Sequence, residues 1–383
     1  MQIAPLPFRS PLNEYERQAE SLLVAWNAGD AGAVRLFREH HPRFLDERIP
    51  WLPKQLSDAE VKSVALAPAD AQLAIARGYG FQDWTRLADW VHAVGRDGSP
   101  VSRFESAVEA VITGDLATLD RLLVETPELA RARSTIVTCH DPPVHGATLL
   151  HYVAANGVEG YRQKSPKNSV DVAKALLDAG AEVDALAGMY GGRHATMSML
   201  VSSTPPARAG VQVPLVETLL DYGAAVEGRG TGDWVSPLMT ALVFGFRDAA
   251  LALVRRGARV ATLAAAAGLG RLEDAQRLLA AASGDDRHRA LALAAQLGHV
   301  EIVRLLLDAG EDPNRYNPKG FHGHATPLHQ AALAGHDRVV RLLVERGAKL
   351  DMKDTIFDGT PLGWAEYGGR TELAAYLRAQ GTA

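Results

Sequence analysis

Histidine and cysteine are the residues of this sequence whose side chains are best suited to chemistry, and several of them lie close together along the chain. His322 and His324 are one residue apart and could offer two ligands to a metal ion. Their spacing matches no zinc pattern, and structural zinc sites bring together four defined ligands. We therefore predict no metal and no cofactor, and we interpret both histidines as polar loop residues.

Cys139, His140 and Asp141 are the three residue types of a nucleophile, a base and a group that orients the base. Adjacent residues do not normally turn towards one another in that geometry, because catalytic groups come together from distant positions. We interpret the single cysteine as a thiol that is buried or packed against a loop. The glycines at 191–192 and between 228 and 232 lack the Gly-Lys-Ser/Thr ending of a phosphate-binding loop, so we interpret them as hairpin tips.

Aromatic and imidazole side chains are enriched in the long segments between the predicted helices and at the adjoining helix starts. A few large aromatic side chains can supply most of the binding energy of a protein interface. The predicted partner-binding residues are Tyr190, His194, Trp234, Tyr316, Phe321, His322, His324, Phe357 and Trp364.

The composition favours closely packed helices, because apolar residues make up 47% of the chain and aromatic residues only 6%. A net charge of −5 provides no basic surface for a phosphate backbone, so nucleic acid is not an expected partner. No run approaches the roughly 18 apolar residues that cross a bilayer, so no membrane association is expected. The single cysteine and the absence of a secretory signal pattern at the start of the sequence predict a cytoplasmic protein.

Glycines recur at a fixed spacing that predicts pairs of antiparallel helices. Gly335 and Gly347 are twelve residues apart, and the same step separates Gly298 from Gly310. A glycine suits the end of a helix because the backbone there turns left-handed. Thr326-Pro327, nine residues before Gly335, predicts a helix start, since threonine caps free backbone N–H groups and proline fits the first turn.

These residues resemble the ankyrin repeat, whose signature Thr-Pro-Leu-His-x-Ala is matched in full at 326–331 and in part at 148–151, 236–238 and 360–362. The resemblance covers roughly residues 104–383 and implies an all-α fold, an α-solenoid of stacked helix-turn-helix repeats with hairpin-like fingers. It also implies that His151 and His329, at the signature histidine, form hydrogen bonds between neighbouring repeats.

The predicted organisation has two parts. Residues 1–100 are predicted to be a degenerate helical N-terminal cap region, with helix pairs near 14–44 and 71–94, and residues 101–383 an array of about eight repeats, some with insertions or missing fingers. Repeat starts are predicted near Glu105, Thr148, Thr196, Ser236, Ala261, Arg289, Thr326 and Thr360. The fingers are predicted to be long between 127 and 235 and after 311, and missing near 258 and 284.

The resemblance implies a non-enzymatic module that binds a protein or peptide partner on its concave surface and fingers. The identity of that partner and the oligomeric state stay open. The alternative is a small-molecule binding protein or an unusual enzyme, in which His145, His194, His322 and His324 line a pocket formed by the long fingers. The two hypotheses differ in whether these histidines converge on an enclosed cavity.

Overall fold

Helices connected by tight turns and by longer loops account for most of the chain in this computed structural model, which describes residues 5–381. They form two compact units, the first ending at Ala224 and the second beginning at Ala225. This division falls inside the predicted array; the predicted change of repeat type near residue 100 stays a prediction. Within residues 5–381, none of the helices combines the length and the apolar character that a membrane span requires.

The first unit contains twelve α-helices and a β-hairpin within its described residues. The helices are α1 (Leu12–Asn27), α2 (Ala31–His40), α3 (Asp58–Lys62), α4 (Pro68–Gly78), α5 (Trp84–Val94), α6 (Pro100–Thr113), α7 (Leu116–Glu125), α8 (Leu149–Ala154), α9 (Ser169–Asp178), α10 (Thr196–Leu200), α11 (Thr204–Arg208) and α12 (Gln212–Asp221). Short 3₁₀ turns occupy Pro42–Phe44, Pro127–Arg131 and Gly160–Arg162.

Both helix pairs predicted near the start of the chain are present, as α1 with α2 and α4 with α5. Their core contains Leu22, Phe37, Ile75 and Leu87, each less than 2% exposed. Further along, the first helix of each pair packs on the first helix of the next, α6 on α8 and α8 on α10, and the second helices α7, α9 and α12 pack in the same order. Repetition of one packing unit thus builds this part of the chain.

The hairpin consists of strands β1 (Leu186–Met189) and β2 (Gly192–Ala195), which pair antiparallel with Ala187 opposite His194. Tyr190 and Gly191 form its two-residue turn, with φ angles of 51° and 72°. Two consecutive positive φ angles match the twist of the flanking strands, and glycine adopts such angles readily. The prediction that the Gly191-Gly192 pair marks a hairpin tip is confirmed.

The second unit contains five helix pairs and a two-residue strand, β3 (Gly230–Thr231), within its described residues. The helices are α13 (Pro237–Val243), α14 (Arg247–Arg255), α15 (Leu263–Gly268), α16 (Leu272–Leu279), α17 (Gly284–Gln296), α18 (Val300–Asp308), α19 (Pro327–Ala334), α20 (Asp337–Glu345), α21 (Pro361–Tyr367) and α22 (Thr371–Gly381). First helices stack from α13 to α21, and second helices from α16 to α20. Alanines 266, 267, 290, 294 and 331 are fully buried between the first helices, and their small size permits this close approach.

Two predicted repeat starts are wrong. Helix α6 begins at Pro100, after the cap Ser99, rather than near Glu105. Helix α17 begins at Gly284 rather than near Arg289, because the hydroxyl of Ser283 accepts a hydrogen bond from the backbone N–H of Asp286 at 3.1 Å and caps the helix earlier. The carboxylate of Asp286 then accepts the backbone N–H groups of Leu263 and Ala264 at the start of α15. Asp286, in the segment predicted as a brief connection, therefore links the first helices α15 and α17 by hydrogen bonds.

The signature histidines bond between repeats as predicted. The Nδ1 of His329 accepts the backbone N–H of Thr326 at 3.2 Å, which leaves the proton on Nε2, and this N–H donates to the carbonyl of Gly359 in the next repeat at 3.1 Å. His151 repeats the arrangement and donates to the carbonyl of His194 at 3.2 Å. Each bond satisfies a carbonyl of the next repeat and fixes the spacing of two repeats.

A second bond between repeats was not predicted. His299, His336 and Arg370, which each follow the turn after a first helix, donate to the carbonyls of Gly268, Gln296 and Leu333 at distances of 3.1, 2.9 and 3.1 Å. These carbonyls lie at or near the ends of the preceding first helices and lack partners within them. The signal in the sequence was the recurring Gly-His pair at 298–299 and 335–336.

Candidate functional site

Five of the nine predicted partner-binding residues lie side by side in the second unit. Together with Phe244 they form a continuous series of ring contacts, which we call the aromatic row: Trp234, Phe244, His322, His324, Phe357 and Trp364. The successive ring centroids from Trp234 to Phe357 are 5.4, 6.4, 6.3 and 5.9 Å apart, and Trp364 lies 5.7 Å from His324. Such distances are typical of packed aromatic pairs.

The residues of the row are positioned by loops and by first helices. His322 and His324 lie in the loop between α18 and α19, and Phe357 in the loop between α20 and α21. His322 has a φ of 60° and donates from Nε2 to the carbonyl of Val243 at the end of α13, at 3.0 Å. This bond holds the loop against a helix that lies about eighty residues earlier in the chain.

Asp354 organises the loop that carries Phe357. Its side chain is 2% exposed and accepts the backbone N–H groups of Ile356, Phe357 and Gly359 and the indole N–H of Trp364, at 2.6 to 2.9 Å. Burial alone would raise the pKa of Asp354, but these hydrogen bonds outweigh it and the pKa is lowered. The charged carboxylate thus fixes two members of the row.

An apolar pocket of about 390 Å³ opens at the end of the row. Leu333, Phe357, Trp364 and Tyr367 form its walls, and Gly359 and Gly363 leave room between them. The side chain of Tyr367 is 90% exposed and that of Phe357 is 51% exposed. This combination of a cavity with uncovered aromatic side chains is typical of binding sites rather than of ordinary protein surface.

An arginine side chain lies over the ring of Phe321, the residue before the row member His322. The guanidinium of Arg289, on α17, lies 5.7 Å from the centre of the Phe321 ring. Its Nε is buried without a hydrogen-bond acceptor, and no carboxylate of residues 5–381 forms an ion pair with it. Arg287, two residues earlier, pairs with Glu311 at 3.1 Å.

The remaining predicted residues lie elsewhere. Tyr316 is 39% exposed, and its hydroxyl donates to the carbonyl of Lys353 at 2.7 Å. In the first unit, Tyr190 is 50% exposed and its hydroxyl donates to the side-chain oxygen of Asn156. His194 is completely buried, because β2 turns it towards the core, so a partner would not reach its side chain. We do not retain His194 as a contact residue.

The histidines of the alternative enzyme hypothesis do not share one environment. His145 and His194 are 7% and 0% exposed, whereas His322 and His324 are half-buried members of the row. The thiol of Cys139 lies 3.9 Å from Nε2 of His140, but burial raises the pKa of Cys139, whereas an activated cysteine has a lowered pKa. Within residues 5–381, His, Cys, Asp and Glu side chains form no group of three that could hold a metal ion.

A buried ionic cluster in the first unit was missed by the sequence analysis. Arg162 pairs with Glu105 at 2.6 Å and lies 3.6 Å from Glu159, which accepts Nε2–H of His145 at 3.0 Å. Burial raises the pKa of Glu105; for Glu159, the His145 hydrogen bond and the Arg162 charge outweigh burial and lower the pKa to about 2. All four side chains are 7% exposed or less, which indicates a structural role.

Comparison with known proteins locates one family in the second unit. A family model for ankyrin repeats, in three copies, matches residues 262–354. Ankyrin repeat and SAM domain-containing protein 6 of the mouse, Mus musculus, is 45% identical over 73 residues, and that of the rat, Rattus norvegicus, is 42% identical over the same length. Each match covers 19% of this chain and only 8% of the relative's length.

Proposed function

Because residues 262–354 of this chain are ankyrin repeats, we propose that the protein is an interaction module that binds a protein or peptide partner through its second unit. The first helices and their loops would form the concave surface of a solenoid, and the aromatic row would lie along it. Ankyrin repeats generally serve as protein-interaction modules, which supports this proposal. No observation favours the small-molecule or enzyme alternative.

The pocket beside Trp364 is the observation that carries the proposal. Leaving Phe357 and Tyr367 in water gives up the free energy that burial of large apolar side chains would provide. Tyrosine and tryptophan are also the residues that most often dominate binding energy at protein interfaces. We therefore assign the anchoring contacts to Phe357, Trp364 and Tyr367, with Trp234, Phe321, His322 and His324 extending the surface. Tyr190 and Tyr316 are secondary candidates.

Affinity capture from a lysate of the native source tests this function. We expect the full chain to retain specific partners, and the double variant Phe357→Ala, Tyr367→Ala to lose them by about tenfold or more, since each change removes an exposed anchor. Trp51→Ala is the matched control, because Trp51 is a 61% exposed aromatic residue of the first unit. Equal recovery by the double variant and the control would contradict the proposed surface.

A further inference from the structure

Arg289 has no anionic partner among the described residues, in contrast to Lys319 and Lys353 near the aromatic row. Lys319 lies 3.6 Å from the carboxylate of Asp233, and Lys353 lies 2.7 Å from that of Asp358. The guanidinium of Arg289 is held over Phe321, with Nε shielded from water. A partly desolvated guanidinium binds a carboxylate more strongly than a fully hydrated one does, because less water must be displaced.

Asp354, the carboxylate that holds part of the row in place, does not compensate the charge of Arg289. Asp354 is buried and its oxygens are occupied by the N–H groups of its own loop and by Trp364. Among the described residues, this surface therefore presents the unpaired cation Arg289 at Phe321 and, further along, an apolar pocket. Charge complementarity favours a partner with an acidic side chain at the first position and an apolar side chain at the second.

The distance between the two positions limits the spacing in the partner. From His322, adjacent to Phe321, two ring-to-ring steps of 6.3 and 5.9 Å lead to Phe357 at the pocket. An extended chain advances about 3.3 Å per residue, so this path corresponds to at most about four residues. We take about three to six residues as the range to be tested, which allows for the reach of the Arg289 side chain. A single linear segment can therefore occupy both positions.

We infer that the partner presents a linear segment in which a carboxylate pairs with Arg289 and an aromatic or branched aliphatic side chain, about three to six residues away, enters the pocket lined by Leu333, Phe357, Trp364 and Tyr367. This inference rests on the proposed interaction function and adds the chemistry of the partner. Pairing at Arg289 supplies charge selectivity, and the pocket supplies most of the apolar contact.

A defined set of labelled twelve-residue peptides tests the inference by fluorescence anisotropy with the full chain. Each peptide has a Gly-Ser background with one Glu and one Phe, Leu or Trp, separated by one to nine residues. We expect the strongest binding at separations of about three to six, and a loss of about tenfold or more when Glu is replaced by Gln or the apolar residue by Ala. Peptides with Lys in place of Glu should bind most weakly.

Substitutions at Arg289 separate charge recognition from folding. Arg289→Gln should bind the Glu and Gln peptides equally, and Arg289→Glu should reverse the preference towards the Lys peptide. Arg304→Gln, which removes the same charge from the second helix α18, should change neither preference. Reversal by Arg289→Glu requires a folded protein, so this result stands independently of any loss of stability.

The inference is overturned if peptides with Lys bind as well as peptides with Glu, or if Arg289→Gln weakens the Glu and Gln peptides by the same factor. Absence of peptide binding, while lysate capture still depends on Phe357 and Tyr367, would also overturn the linear acidic segment but leave the proposed function intact. If the Phe357→Ala, Tyr367→Ala variant keeps both lysate capture and peptide binding, the proposed function and the placement of the apolar side chain are both overturned.

Discussion

At the scale of single residues, the site depends on buried polar groups that shape exposed aromatic ones. Asp354 contacts no partner in the proposed complex, yet its carboxylate holds the loop of Phe357 and the ring of Trp364. His329 connects the same loop to α19 through the carbonyl of Gly359. The exposed side chains are thus preorganised, which lowers the entropy that binding must overcome.

Substitution of Asp354 by asparagine tests this preorganisation. The amide retains one accepting oxygen but replaces the other with a donor that faces N–H groups, so we expect a loss of about 1 to 3 kcal/mol in the free energy of unfolding at pH 7. Asp351→Asn is the control, because Asp351 is an exposed neighbour. Urea unfolding of both variants and the unchanged protein provides the measurement.

The contribution of Asp354 to the free energy of unfolding should depend on pH with a defined sign. Because folding lowers the pKa of Asp354, its contribution is fully present above the ordinary aspartate pKa and is lost as the pH falls through the lowered value. The stability difference between the unchanged protein and Asp354→Asn should therefore shrink on acidification. A difference that stays constant from pH 7 to pH 3 would argue against a charged Asp354 in the folded state.

At the scale of helices and turns, the glycine that follows a first helix adopts a left-handed conformation, and at some of these glycines the next repeat also lies close. Gly335 has a φ of 83°, and a Cβ atom added there would lie 2.9 Å from Cδ of Arg370. Gly369 has a φ of 68°, but an added Cβ would meet no atom within 4 Å. The two glycines therefore separate the cost of backbone conformation from the cost of crowding.

Gly335→Ala and Gly369→Ala should each destabilise the protein by about 1 to 2 kcal/mol, the cost of a left-handed conformation for a residue with a side chain. We expect Gly335→Ala to cost about 1 kcal/mol more, since it displaces Arg370 from its hydrogen bond to the carbonyl of Leu333. Thermal or urea unfolding measures both.

Arg370→Ala supplies the control for this comparison. In that background the bond to Leu333 is already absent, so the extra cost of Gly335→Ala should disappear. If the extra cost persists without the arginine side chain, crowding by Arg370 is not its cause.

At the scale of the whole molecule, local patterns predicted the helices but not the contacts between loops. The glycine spacing and the Thr-Pro starts predicted the helix pairs because those residues act on their own backbone. The burial of His194 and the ring contacts of His322 depend on segments far apart in the chain, which no local pattern encodes. The pairing of Arg162 with Glu105 was unpredictable for the same reason, since the two residues lie far apart in the chain.

The aromatic residues illustrate the difference between composition and arrangement. The sequence predicted Trp234, Phe357 and Trp364 as partner-binding residues, which stays a prediction, and the structure brings them into one series of ring contacts. The sequence did not indicate that Phe244 completes the series, or that Tyr367, which is 90% exposed, borders a pocket. The second unit therefore concentrates the surface features that the binding proposal requires.

Site-specific photo-cross-linking at the pocket tests the binding proposal most directly. The full chain carrying a benzophenone amino acid in place of Tyr367 is irradiated in cells of the native source, alongside a chain with the same group in place of Trp51. We expect a discrete covalent adduct with another protein at position 367, lost when Phe357→Ala is added, and none at position 51. Equal adduct yields at the two positions, or an adduct at 367 that is insensitive to Phe357→Ala, would contradict the binding proposal.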